Sequence, residues 1–375
     1  MSGIYIHIPF CRQACNYCNF HFSVSLQHKK AMVAAIVQEI TSRLNFIPSK
    51  KIATVYIGGG TPSLLLADEL SQIITAVYQQ FDVAADAEIT LEANPDDIND
   101  ASLQTWLHLG INRLSVGLQS FNENELKWMN RAHNATQSIE SIAAIKRAGF
   151  QQFSVDLIYG SPLQTDEDLI RNFNIIAAEK IPHISCYALT VEPGTLLNQQ
   201  IAKQKMSNVD ADKQAAQFEL LLQLMKNAGY EQYEISNFCL PGHRSKHNSS
   251  YWQGKPYWGF GPSAHSFNGE NIRRWNVANN SIYIKSIENN IVAFEEEILT
   301  KDQQFNEYVM TALRTIEGIN TTIIKEKFGG DYLSLLSKNI EKYTTNELLV
   351  INDDCVVVTA KGKFLVDGIA SNLFV

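Results

Sequence analysis

Short apolar runs rich in β-branched residues alternate with longer stretches of helical periodicity over the first 230 positions. Tyr5–Ile8 predicts a first strand. From about Leu26 to Phe46, Val33, Ile36, Val37, Ile40 and Leu44 fall on one stripe, the spacing of a helix with one buried face. Ala53–Ile57 predicts a second strand, which runs into Gly58-Gly59-Gly60 ahead of a helix over Leu64–Tyr78. Glu88–Glu92, Arg113–Val116, Phe153–Ile158 and Ile184–Leu189 read as strands three to six. The helices after them span Ala101–Leu109, Ala135–Ala148, Asp166–Glu179 and Ala211–Ala228. Three of these stop at Gly110, Gly149 and Gly229, in the position where a left-handed residue ends a helix. Along the last helix Phe218, Leu221, Leu222 and Met225 share a face. Six βα units in a row mean parallel pairing through right-handed crossovers. A closed barrel needs eight, so the expected fold is α/β, an open or partial (βα)6 TIM-like barrel. Its chemistry then belongs at the C-terminal ends of the strands.

Beyond Gly229 the pattern loses its period. Aromatic residues and glycine crowd positions 230–275, among them Tyr233, Tyr251, Trp252, Tyr257, Trp258 and Phe267. From about 300 three helical patterns return, near 302–316, 320–327 and 331–343. A β pair at 347–350 and 355–358 and a helix at 360–372 follow. Helices ahead of a small hairpin suggest a winged-helix-like α+β domain. The expected division is a barrel over 1–230, an aromatic and glycine-rich linking region over 231–299, and the winged-helix-like domain over 300–375.

Composition narrows the possible functions. Hydrophobic residues make up 45% and charged residues 19% of the 375, the balance of a folded globular chain. The formal charge of −8 argues against a nucleic-acid partner, which needs a basic face. No apolar run reaches the roughly 18 residues of a membrane span. The opening Met1-Ser2-Gly3-Ile4-Tyr5 lacks the basic and apolar segments of a secretory signal, which makes the cytoplasm the expected location.

The cysteines add chemistry. Of six, Cys11, Cys15 and Cys18 fall within eight positions, while Cys186, Cys239 and Cys355 are scattered. That distribution does not suit a disulfide framework. Three thiolates fill three corners of a [4Fe–4S] cube and leave one iron free to bind a cofactor. A zinc knuckle that borrows His7 or His21 is the alternative, although no second cysteine or histidine pair follows. The scattered three suit packing as small buried hydrophobes.

The stretch from Ile4 through Cys11-x-x-x-Cys15-x-x-Cys18-Asn19-Phe20 resembles the radical S-adenosylmethionine (SAM) superfamily, and within it the coproporphyrinogen dehydrogenase-like branch. The resemblance is densest over residues 4–160. It implies a radical SAM barrel whose cluster binds SAM through the open iron, with the chemistry supplied by the cofactor. It also implies a set of SAM contacts. Tyr5 and Tyr17 flank the cluster motif, and Gly59, Gly60 and Thr61 form a glycine-rich segment that lets backbone approach a ligand. Glu92 ends strand three, Gln119 follows strand four, and Asp156 lies within strand five. Arg131 brings a planar fork suited to a carboxylate. For each of these a plain reading also exists: a tight turn, a solvated rim carboxylate, or a packed aromatic. A buried Asp156, however, is costly unless paired or ligand-bound.

Two departures separate this chain from the porphyrinogen dehydrogenases of the branch. They carry a fourth cysteine where Phe20 stands, and a longer segment ahead of the cluster. His247-Asn248-Ser249-Ser250-Tyr251-Trp252 resembles the HNxxYW motif of the branch's haem chaperones. There the motif is linked to haem, whose iron takes an imidazole and whose ring stacks on aromatics. The resemblance therefore implies a haem chaperone that holds a [4Fe–4S] cluster, SAM and haem and serves acceptor haemoproteins. Its haem contacts would be His247, Asn248, Tyr251 and Trp252, with His243 and His265 as alternative ligands. A porphyrin-directed radical SAM oxidoreductase and a winged-helix regulator with a cluster sensor are the competing readings.

Overall fold

A computed structural model describes every residue except Leu44, so that member of the first helical stripe lies outside the described residues. The six expected βα units are present. They run β1 (Ser2–Ile8), α1 (Lys29–Ser42), β2 (Lys51–Gly59), α2 (Ala67–Gln80), β3 (Asp82–Ala93), α3 (Asp100–His108) and β4 (Arg113–Gln119). After these come α4 (Glu123–Trp128), α5 (Ala135–Ala148), β5 (Gln152–Tyr159), α6 (Asp166–Ala178), β6 (His183–Ala188), α7 (Leu196–Ala202) and α8 (Ala211–Asn227). Strands β1 to β6 pair in sequence order and all in parallel.

Ile4, Ile6 and Ile8 of β1 are buried against the helical layer, where Met32, Val33, Ile36 and Ile40 of α1 meet them in the main core. The other face of each strand points into the barrel. There the inward side chains are polar: His7, Tyr56, Glu92, Ser115, Asp156 and Ser185 interrupt otherwise apolar strands. Helix ends follow local chemistry. Asn134 accepts from the Gln137 N–H at the start of α5, and Gly149, at φ 94°, ends it, the left-handed conformation that glycine adopts without a Cβ penalty.

Positions 231–298 are far from structureless. They form β7 (Glu231–Gln232), β8 (Asn237–Cys239), α9 (Lys246–Trp252), β9 (Tyr257–Phe260), β10 (His265–Phe267), β11 (Ile272–Asn276), α10 (Asn280–Glu288) and β12 (Phe294–Ile298). β8 adds antiparallel to β6, whereas β9 adds parallel to β1, with Gly3 opposite Tyr257. One twelve-stranded sheet results, in the order β12-β11-β10-β9-β1-β2-β3-β4-β5-β6-β8-β7. It stays open, with β12 and β7 at its edges.

The C-terminal unit has its own core, built on Phe305, Val309, Phe328, Leu336 and Val356. It comprises α11 (Lys301–Leu313), β13 (Ile319–Asn320), α12 (Thr321–Lys327), α13 (Gly330–Thr345), β14 (Leu349–Asn352), β15 (Cys355–Val358) and α14 (Val366–Ser371). The expected β pair gains a third strand, β13, antiparallel to β15. The expected helix over 360–372 is a 3₁₀ turn from 360 to 365 followed by α14. The tighter turn brings Gly362 so near the Leu348 carbonyl that a Cβ would lie 2.3 Å from it. The unit docks through backbone bonds from Ile235 N–H to the Arg314 carbonyl and from Ile316 N–H to the Tyr233 carbonyl. Arg273 adds a bidentate pair with Glu307 at 2.7 and 2.9 Å. Among the described residues no helix is long and apolar enough to cross a membrane.

Candidate functional site

The segment after β1 crosses the C-terminal ends of the strands as an anchored loop. Cys11 N–H donates to the Ser23 carbonyl and Ser23 N–H to the Pro9 carbonyl, at 3.0 and 2.9 Å. Asn16 N–H reaches the Met129 carbonyl, and Asn130 donates to the Ala14 carbonyl at 2.7 Å. Arg12 pairs with Asp97. Loop and barrel thus hold Cys11, Cys15 and Cys18 half-buried as free thiols, and all three line one cavity of about 630 Å³. Among the described residues no three His, Cys, Asp or Glu converge tightly enough for a single metal ion. A zinc knuckle would borrow His7 or His21 as a further ligand. His7 and His21 are also otherwise engaged: His7 sits between the Tyr5 hydroxyl and the His21 carbonyl, and His21 meets Asn280.

The same cavity is lined by Tyr17, Gly59, Gly60, Thr61, Glu92, Gln119, Arg131 and Asp156. Eight of the nine residues expected to contact SAM therefore converge there. Tyr5 does not. It lies deeper in the barrel, stacked on Tyr56 at 6.1 Å, because it stands three residues before the end of its strand. At Gly60 a Cβ would come 2.6 Å from the Phe10 carbonyl, so glycine lets this loop pack against the cysteine loop. Gln119 has a φ of 67°, a left-handed conformation rare for a residue with a Cβ. It follows a register shift between β4 and β5. Arg131 spans the site and donates to Asn94 Oδ1 at 2.8 Å, to the Gly117 carbonyl at 2.7 Å and to Cys15 Sγ at 3.3 Å. Its Nε is buried and has no partner among the described residues.

Burial sets the electrostatics. Glu92 accepts from the Tyr56 hydroxyl at 2.7 Å and from the Gly59 N–H at 3.0 Å. Even so, desolvation, with Asp156 nearby, pushes its pKa up to about 7. Asp156 is pushed up to about 6 by burial, against the pull of Ser185, Arg113 and Arg131. Burial also raises the Cys11 thiol, and the Cys18 thiol to about 11. Two half-buried carboxyl groups with raised pKa values beside a half-buried cation suit a ligand with both an ammonium and a carboxylate. Tyr56, Ser115 and Ser185 also line the cavity. Their signal was available as polar residues at inward strand positions. Arg314 and Lys363 reach it from the C-terminal unit, which no local pattern reveals.

Helix α9 carries the HNxxYW stretch. Ser245 caps it, and Glu88 accepts from the N–H groups of Lys246 and His247, both at 2.9 Å. His247 is buried inside the barrel. Its Nδ1 lies 2.8 Å from the Thr54 hydroxyl, its Nε2 lies 3.0 Å from the Tyr251 hydroxyl, and its ring stacks on Tyr56 at 5.0 Å. Burial lowers its pKa to about 3. Both ring nitrogens of His247 are thus engaged by hydroxyl groups in this structure. The remaining members divide. Asn248 lines the cysteine cavity, whereas Tyr251 and Trp252 line a second cavity of about 860 Å³ toward the C-terminal unit. His243 bonds Gln152 and His265 stacks on Trp275; neither lines either cavity.

Residues 5–175 match the family model of the Radical SAM superfamily, and residues 299–365 that of the HemN C-terminal domain. Among curated proteins, the heme chaperone HemW of Lactococcus lactis is 33% identical over 98% of this chain and 98% of its own length. That of Mycobacterium tuberculosis is 31% identical over 99% of this chain and 94% of its own. Among solved structures, coproporphyrinogen III oxidase (HemN) from Escherichia coli aligns with a TM-score of 0.86 at 24% identity. The alignment covers 100% of this chain and 90% of that one, a likeness of fold.

Proposed function

Since this chain belongs to the HemW family of the radical SAM superfamily, we propose that it is a haem chaperone. In this reading it binds a [4Fe–4S] cluster, SAM and haem, and delivers haem to acceptor haemoproteins in the cytoplasm. The observation that carries it is the convergence of Cys11, Cys15 and Cys18 with Glu92, Arg131 and Asp156 on one cavity, together with Phe20 where the dehydrogenases have a fourth cysteine. The donor set fits a cluster: three free thiols, half-buried, beside open space. Bound there, a cube with one iron lacking a protein donor supplies a coordination site and an electron to a chelating cofactor.

The chain's own residues do the rest. Arg131 is held by Asn94 and the Gly117 carbonyl, with its fork toward the cysteine loop, and takes the SAM carboxylate. The Gly59–Thr61 backbone, Tyr17 and Gln119 hold its remaining polar groups. Glu92 and Asp156 present carboxyl groups to its cationic and hydroxylated parts. No turnover belongs to this reading.

The test is haem uptake by anaerobically reconstituted protein. One equivalent of haem should be retained after desalting, with a Soret band, and should pass to an apo-haemoprotein. The absence of a Soret band, or conversion of coproporphyrinogen in the presence of SAM and a reductant, would overturn the proposal in favour of an oxidoreductase.

A further inference from the structure

The guanidinium of Arg131 reaches the cysteine loop itself. Nη1 donates to Cys15 Sγ at 3.3 Å, while Nη2 is held by two neutral acceptors, Asn94 Oδ1 and the Gly117 carbonyl, at 2.8 and 2.7 Å. Glu92, Asp156 and Glu192 also line the cavity, but among the described residues no carboxylate forms an ion pair with Arg131. Asp96, a further acid near it, turns to Arg12. Of the other cations in the cavity, Arg314 is paired with Asp367 and Lys363 is bonded to Gln232. We propose that Arg131 makes the cluster readier to accept an electron, and that a cofactor carboxylate, by engaging the same guanidinium, withdraws that help. The inference rests on the cluster and SAM reading above, and it makes Arg131 the link between cofactor occupancy and redox state.

Three observations carry it. First, the geometry is fixed. Gln13 donates to Asn130 Oδ1 and Asn130 to the Ala14 carbonyl, both at 2.7 Å, and Asn16 reaches the Trp128 and Met129 carbonyls. The residues on either side of Cys15 are thus bolted to the three that precede Arg131. Asn130 holds a φ of 57° to make this join, a left-handed conformation uncommon for a residue with a Cβ. Second, the charge is permanent, because a guanidinium does not deprotonate in proteins. An electron added to a cluster places negative charge on it and on its sulfurs. A fixed cation and an N–H···S hydrogen bond therefore favour the reduced form. Third, the contact is replaceable. Among the described residues Nη1 has only the Cys15 sulfur, a weak acceptor. A carboxylate is a stronger one, and on taking Nη1 it also cancels the charge beside the cluster.

The test uses the full chain with its cluster reconstituted anaerobically, poised at set potentials with dithionite and read by electron paramagnetic resonance. Each measurement is made with and without saturating S-adenosylhomocysteine, which carries the amino and carboxylate groups of SAM and lacks the sulfonium. The reference potential is the one that half-reduces the unaltered cluster without this probe. There Arg131→Gln should show a reduced-to-oxidised ratio at least roughly tenfold lower, about 59 mV for one electron, at full iron and sulfide content. Asn94→Asp, which sets a carboxylate on Nη2 without changing the side chain's shape, should lower the ratio too. Arg131→Lys, which keeps the charge, should stay closer to the unaltered chain than Arg131→Gln does. With the probe bound, the gap between the unaltered chain and Arg131→Gln should close. Should Arg131→Gln fail to hold iron, Asn94→Asp decides alone. Ratios equal to that of the unaltered chain overturn the proposal, and a gap that the probe leaves intact overturns the link to the cofactor. Neither result touches the chaperone reading. No reduced signal in the unaltered chain overturns the cluster assignment beneath both.

Discussion

Glu92 shows how a single side chain prepares this site. Its carboxyl sits half-buried in the barrel, and desolvation raises its pKa from 4.5 to about 7. Folding therefore favours the protonated form. The corresponding stability is fully present below about pH 4.5 and is lost as pH rises through about 7. The full effect is roughly 3 kcal/mol at about 1.4 kcal/mol per pKa unit. Urea unfolding of the ligand-free chain should show falling stability from pH 5 to 8, and Glu92→Gln should flatten much of that slope. The cysteines give a second expectation. Cys15→Ser should lose the brown cluster absorbance, because two thiolates hold a cube poorly. Cys186→Ala, at a packed strand position, should keep full iron and sulfide content, and full content in Cys15→Ser would refute the ligand assignment. Legibility was high for such residues. Close spacing exposed the thiols, and the family resemblance pointed to Glu92 at the end of strand three and to Asp156 among apolar residues within strand five. The surroundings of His247 were not legible, because its contacts, Thr54 and Tyr56, lie nearly two hundred positions away.

Among the elements, α9 depends on one carboxylate. Glu88, midway along β3, accepts from two N–H groups of this seven-residue helix and from Ser245. It also stands 3.8 Å from the buried Arg113. A helix this short cannot hold itself without such capping. Glu88→Ala should cost about 2–4 kcal/mol, since it strands a buried cation and leaves two donors unpaired. Chemical denaturation measures this, and a loss under about 1 kcal/mol would mean that the carboxylate is dispensable. The long βα elements were readable because each carries its own period and its own stop. Strand β9 was not. Tyr257–Phe260 is four residues long, without alternation, and its extended form comes from pairing with β1. Gly259, where a Cβ would lie 1.8 Å from the His265 carbonyl, is required by the return of β10, a partner no local window contains.

At the scale of the molecule, the open sheet leaves a gap that the C-terminal unit and α9 fill from different sides. Sequence periodicity yields the barrel and the winged-helix-like unit as separate objects. The surfaces between them, where Arg314 and Lys363 enter the first cavity, arise only on docking. Arg314 lines that cavity and lies over the Trp252 ring at 5.3 Å, and Trp252 faces the other cavity. Asn248 and Trp252 are thus the two sides of a partition one short helix thick. On the chaperone reading proposed above, ligands bound on either side of this partition would be thermodynamically linked. By whatever factor a ligand on one side changed retention of a ligand on the other, the second would change retention of the first. Whatever lodged against one face of α9 would then be felt at the other through the Arg314–Trp252 contact.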